Sequence, residues 1–300
     1  MQVKNKAKIG IFDSGLGGLI IAKAIRQYLP EYDYVYLGDT KRVPYGNRSH
    51  ETVLEWTREG VDYLFRKENC ALVIIACNTA SARALRRIQQ DLTPSLQHGS
   101  EHSPLAGGEK NKKVLGVLIP AAEEAAKFKR VGVLATAGTV ASRTFPKEIN
   151  KLNRAKGRAG KKTKVFQNSA PMLVPLAEAG ERILAQKFIE KYLKPLLNKH
   201  IDALVLGCTH YPFFKKEIKK IIGKKVKIIS QDEIVPKKLK NYLVRHPEIE
   251  KKLSKRRKPT PNESKASYGA RILVTDLTQN IEKLTSKWFG GKVKPKLVKI

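Results

Sequence analysis

The chain has 300 residues, 41% of them hydrophobic and 7% aromatic, enough for one large or two ordinary cores. Lys and Arg outnumber Asp and Glu by 59 to 27, a formal net charge of +32, yet no apolar stretch approaches the roughly 18 residues that cross a bilayer, and Met1–Lys8 runs into Ile9 without a signal-peptide core. Three cysteines, an odd and low count, argue against a disulfide framework and for a reducing cytoplasm, so neither export nor a membrane partner is expected.

Lys8–Phe12 is an apolar run of strand length, followed by Asp13-Ser14-Gly15-Leu16-Gly17-Gly18 and a helical pattern over Leu19–Tyr28. Glycines there allow a tight turn and present backbone N–H groups to an anion, although Asp13 or Ser14 is equally read as a plain helix cap. The spacing is not that of a dinucleotide loop, because position 20 is Ile. The strand Tyr34–Leu37 leads to Asp39-Thr40 and Pro44-Tyr45-Gly46, a Pro–Gly turn or a substrate loop. A helix over His50–Lys67 precedes the strand Ala71–Ala76, which stops at Cys77-Asn78-Thr79 ahead of a helical stretch at Ser81–Gln90. Thr93–Lys113 has no periodicity and reads as a loop and a domain crossing.

Strands are next expected at Val114–Leu118 and Arg130–Ala135, and a Lys/Gly-rich loop at Arg154–Lys162. The strand Lys164–Phe166 and a helix over Ala179–Leu197 flank Glu178, which alone reads as a surface helix residue. Ala203–Gly207 then stops at Cys208-Thr209-His210 as abruptly as the earlier strand stops at Cys77. A helix at Phe213–Ile222 and strands at Lys225–Ile229 and Arg271–Thr275 close the series. Such alternation is the mark of βαβ units and a mostly parallel sheet, and so many strands favour two α/β domains. The expected division is 1–113 plus 231–300, holding Cys77 and both termini, and 114–230, holding Cys208.

In an open α/β sheet, ligands bind at the carboxyl ends of strands, where Cys77 and Cys208 both fall. A buried cysteine is usually a small hydrophobe, the reading that suits Cys70. No C-x-x-C spacing supports zinc or dithiol chemistry. A Cys208–His210 nucleophile is one alternative, but it leaves Cys77 without a role; two thiols at strand ends suit a two-base proton transfer.

Four motifs occur in order: D-S-G-x-G-G at Asp13–Gly18, P-Y-G at Pro44–Gly46, A-C-N-T-A at Ala76–Ala80 and G-C-T-H-Y-P at Gly207–Pro212. Together with Gly138-Thr139-Val140 and the P-L-x-E around Glu178, they resemble the glutamate racemases of the aspartate/glutamate racemase superfamily. The sequence departs from that pattern at Ala170, where many members carry Cys, and at Pro120-Ala121-Ala122 in place of P-G-A. The resemblance implies two doubly wound, mostly parallel α/β domains facing each other across an active-site cleft, one cysteine from each, with no cofactor and no metal. It implies that Cys77 takes the α-proton of D-glutamate, assisted by Asp13, and Cys208 that of L-glutamate, assisted by His210 and Glu178. Asp13, Ser14, Pro44, Tyr45, Gly46, Cys77, Asn78, Thr79, Thr209 and His210 would hold the substrate. A homodimer that supplies D-glutamate for peptidoglycan synthesis is expected; aspartate or another amino acid is the alternative substrate.

The charge admits a reading from another class, a nucleic-acid-binding protein on this scaffold. Most of the excess is Lys spread along helices and loops, and Lys255-Arg256-Arg257-Lys258 is the one dense run. No base-reading motif accompanies it, so a solvated surface with at most weak, non-specific nucleic-acid binding is expected.

Overall fold

A computed structural model of the chain describes residues 6–92, 112–155, 163–255, 270–291 and 293–300. The loops expected at 93–113 and 154–162 fall mainly outside these residues, as does most of the basic run at 255–258.

The strands are β1 (Lys8–Asp13), β2 (Tyr34–Gly38), β3 (Cys70–Ile75), β4 (Lys113–Gly116), β5 (Arg130–Ala135), β6 (Lys164–Ser169), β7 (Ala203–Gly207), β8 (Lys227–Ile229), β9 (Ala270–Val274) and β10 (Lys296–Leu297). They form two sheets, a six-stranded one in the order β10-β9-β2-β1-β3-β4 and a four-stranded one in the order β6-β5-β7-β8. Every ladder pairing among the described residues is parallel. Parallel sheets are covered by helices on both faces, so their strands read as unbroken apolar runs. β2, β3 and β7 fit this, with every residue buried.

Strand order decides where the site lies. In the larger sheet the chain moves one way from β1 to β2 and the other way from β3 to β4; in the smaller one it moves one way from β5 to β6 and the other from β7 to β8. The order therefore reverses between β1 and β3, and between β5 and β7. At such reversals the connecting helices leave on opposite faces and open a crevice beyond the carboxyl ends of the strands. Asp13 ends β1, Cys77 lies just past β3, Thr136 just past β5 and Cys208 just past β7.

Strand ends shift from expectation by a residue or two, and β10 is additional. The strand expected at Val114–Leu118 stops at Gly116 because a helix begins at Leu118. It pairs with β3 at the edge of the larger sheet. The helix expected at Ala179–Leu197 begins instead at Arg182, and a separate helix, Leu173–Ala179, precedes it; the two are parted at Gly180, whose φ of +80° suits a residue without a Cβ. The helix expected at Ser81–Gln90 begins three residues earlier, since Cys77 itself caps Asn78–Arg83.

A core cluster runs through both sheets, joining Ile11, Ile74 and Val117 to Leu134, Leu206, Tyr211 and Trp288. Helix Gln231–Arg245 packs against both Gly18–Tyr28 and Leu118–Ala125. At its start the carboxamides of Gln231 and Asn78 bond reciprocally, at 2.8 and 2.6 Å, and Gln231 Nε2 also donates to the Val117 carbonyl at 3.4 Å. Both crossings between the sheets, at Val117 and Gln231, are thus tied to the residue beside Cys77.

Candidate active site

A cavity of about 450 Å³ opens between the carboxyl ends of the two sheets. Cys77 and Cys208 both line it, and so do Ser14, Pro44, Tyr45, Gly46, Asn78, Thr79, Glu178, Thr209 and His210. Asp13 lies beneath them, fully buried at the end of β1. Among the described lining residues there is no Lys or Arg. Acidic substrate groups would meet hydroxyls and backbone N–H groups here rather than fixed cations. No group of three or more described His, Cys, Asp or Glu residues is arranged to hold a metal ion.

The two thiols sit in different electrostatic settings. Cys77 caps the helix Asn78–Arg83: its Sγ accepts from the Ala80 N–H at 3.4 Å and from the Ser14 hydroxyl at 3.2 Å. Those donors favour the thiolate, but burial and the charge of Asp13 outweigh them and push the thiol up to about 12. Asp13 accepts the Gly15 N–H at 2.9 Å through Oδ1. Burial raises its carboxyl above the usual range, against the pull of His210.

Cys208 Sγ stands 3.8 Å from His210 Nδ1, and His210 Nε2 stands 2.9 Å from Glu178 Oε1. Burial works against a charged imidazole, but hydrogen bonds to the Cys208 sulfur and to Glu178 outweigh it and push His210 up to about 10. A protonated His210 donates from both ring nitrogens at once, so it can bridge the Cys208 sulfur and Glu178. Glu178 is placed for this by the break at Gly180, which ends its helix beside the cavity; its side chain keeps 38% exposure while that of His210 keeps 9%.

Glycines let the sheets approach. A Cβ on Gly17 would lie 2.4 Å from Thr209 Oγ1 and 2.5 Å from His210 Nδ1. One on Gly138 would lie 2.7 Å from the Gly46 carbonyl. Thr79 and Thr136 share a hydroxyl hydrogen bond of 2.9 Å across the gap, and Thr136 caps the helix Ala137–Ser142.

Two expected substrate residues have their side chains engaged elsewhere. The Tyr45 hydroxyl donates to Asp39 Oδ2 at 2.6 Å, and Asp39 also accepts from Arg42 Nε and Thr275 Oγ1. The Asn78 carboxamide is taken by Gln231. What these residues offer the cavity is backbone and shape. Sequence reasoning missed Thr136, although it follows a strand end as Cys208 does; Gln231 carried no comparable signal.

The model of the Asp/Glu/hydantoin racemase family matches residues 20–234. The chain is 35% identical to the glutamate racemase of Aquifex aeolicus over 97% of both chains. It is 40% identical to that of Aquifex pyrophilus over 79% of this chain and 83% of the relative. The chain belongs to the glutamate racemase family. Its fold is the family's: glutamate racemase isoform RacE1 from Bacillus anthracis superposes with a TM-score of 0.80 at 30% identity, covering 98% of each chain. The glutamate racemase of Francisella tularensis, solved in complex with D-glutamate, superposes with a TM-score of 0.78 at 28% identity over 98% of each. Membership in this family makes the protein an isomerase acting on an amino acid.

Proposed function

We propose that the chain interconverts L- and D-glutamate by a two-base transfer between Cys77 and Cys208, without a cofactor. The observation that carries the reading is that two thiols from facing sheets line one cavity, each with its own acid–base partner. Cys208, hydrogen-bonded to His210, serves as the base towards L-glutamate; Cys77, whose thiol burial holds high, serves as the acid. With L-glutamate, the Cys208 thiolate takes the α-proton and becomes a thiol. The Cys77 thiol gives its proton to the opposite face and becomes a thiolate; solvent protons returned by way of Asp13 restore the Cys77 thiol, while Cys208 passes its gained proton to solvent by way of His210. With D-glutamate the same transfers run in reverse. Ser14, Gly46, Thr79 and Thr209, with backbone groups at Pro44, Tyr45 and Asn78, hold the carboxylates and amine. The D-glutamate complex of the Francisella relative supports this substrate over aspartate.

We take the chain as two domains, 1–116 plus 231–300 and 117–230, that close on the substrate. The proposed setting is a cytoplasm supplying D-glutamate to peptidoglycan synthesis, which agrees with three free cysteines and with no described helix long and apolar enough to cross a membrane. A homodimer belongs to the same reading; exposed Ile183 and Leu184 are apolar surface open to a second copy.

The test is turnover in D₂O. Product should carry α-deuterium from the first turnovers while remaining substrate carries little. Equal early label in both pools would mean a single shared base and refute the two-thiol scheme.

A further inference from the structure

We propose that Trp288 is a positioning residue that holds the His210 ring in line with Cys208 and Glu178, and that it does so from the opposite sheet. The inference rests on the proton-transfer reading above. His210 follows β7 of the smaller sheet, whereas Trp288 lies on helix Gln279–Phe289, which follows β9 of the larger one. Their ring centroids are 5.4 Å apart at 84°, an edge-to-face contact within the preferred range.

The hydrogen bonds of His210 leave a degree of freedom. The contact to Glu178 is firm at 2.9 Å, but the one to the Cys208 sulfur spans 3.8 Å. Two contacts in the ring plane do not stop the imidazole from tilting out of it. The indole of Trp288, set nearly perpendicular to the imidazole, is a neighbour that opposes this movement.

Trp288 is held in turn. It is 5% exposed and packs on Phe213 at 6.4 Å, whose ring carries the Arg182 guanidinium at 3.9 Å and the Lys287 ammonium at 5.6 Å. Its Nε1 is buried with no hydrogen-bond partner among the described residues. Burying that N–H without a partner costs stability.

The experiment compares Trp288→Leu, Trp288→Phe and Phe289→Leu. Phe289 sits on the same helix but under Arg26, so its variant reports the general cost of loosening that helix. Trp288→Leu is expected to lower kcat by about 10- to 100-fold, the scale of a misplaced proton-transfer group, with KM changed less than about twofold. Trp288→Phe, which keeps an aromatic ring, should recover most of the loss, and Phe289→Leu should not reproduce it at a matched melting temperature. Contact is read separately in a Trp56→Phe background, where Trp288 is the only tryptophan left. Imidazolium quenches indole emission, so emission should rise as pH carries His210 through its titration, and His210→Asn should abolish that rise. Asp13, Glu178 and Cys208 face the same ring and Arg182 and Lys287 flank Phe213, so only the part removed by His210→Asn counts. Equal kcat for Trp288→Leu and Phe289→Leu, or emission indifferent to His210, overturns the inference. Full activity in His210→Asn would instead overturn the proton-transfer reading on which it rests.

Discussion

Cys77 and Cys208 need different help because their surroundings differ. Burial pushes the Cys77 thiol up to about 12 and leaves it holding its proton at neutral pH, whereas the Cys208 sulfur has the His210 ring beside it as a proton-transfer partner. Replacing either by Ala should abolish racemisation, since each face needs its own acid or base, while Cys70→Ala should cost stability only; chiral chromatography of product checks both. Glu178→Gln keeps a partner for His210 but removes the charge. It should lower kcat by about 10-fold or more with a smaller change in KM. An effect confined to KM would make Glu178 a binding residue. His210 also ties stability to pH. Its value rises from an ordinary 6.5 to about 10 on folding, so its stabilisation is complete below about 6.5 and is lost as pH climbs through about 10. Cys70 and Cys77, raised from 9.0 to about 12, add to the loss only above about 9. Denaturant midpoints should therefore fall from pH 6.5 to 9 in the parent and stay flat over that window in His210→Asn.

At the scale of elements, turns and strand ends carry the function. Gly17→Ala places a methyl against Thr209 and His210, across the gap between the sheets. It should leave the melting temperature nearly unchanged, because the cleft can open to accommodate it, and cut kcat/KM by about 10-fold or more. A parent-like kcat/KM would mean that the sheets need not approach so closely. Asp39 acts on another element: with Tyr45, Arg42 and Thr275 it pins the P-Y-G turn that faces Thr136. Asp39→Asn should raise KM more than it lowers kcat, measurable in the same assay. Much of this was legible in the sequence. Strands buried on both faces write themselves as apolar runs, and strand ends locate ligands, so both cysteines could be placed before any coordinates. Contacts between distant residues were not legible. The Tyr45–Asp39 and Asn78–Gln231 bonds redirect two side chains expected at the substrate, and no local pattern signals a hydrogen bond between residues 78 and 231. The ring contact between Trp288 and His210 belongs to the same class.

For the whole molecule, strand order joins fold to site: both reversals put their crevices at the same cavity. The net charge of +32 has no described counterpart in a base-reading element. Nucleic-acid binding should therefore be weak, indifferent to sequence and gone by physiological salt, as an electrophoretic shift series would show. Tight, selective binding at that salt would call for a second function.

The order of strands in the larger sheet also bears on how the chain is made. β2 is wholly buried between β1 and β9, yet β9 is separated from it by most of the sequence. Until residues 270–274 leave the ribosome, Tyr34–Gly38 is an apolar edge with an open row of backbone donors and acceptors, the kind of surface on which chains pair with one another. Mutual repulsion among strongly cationic nascent chains opposes that pairing over the whole interval. A chain ending at residue 255 is expected to stay dispersed at low ionic strength and to aggregate as salt screens it, which light scattering would follow; the full chain should show no such threshold.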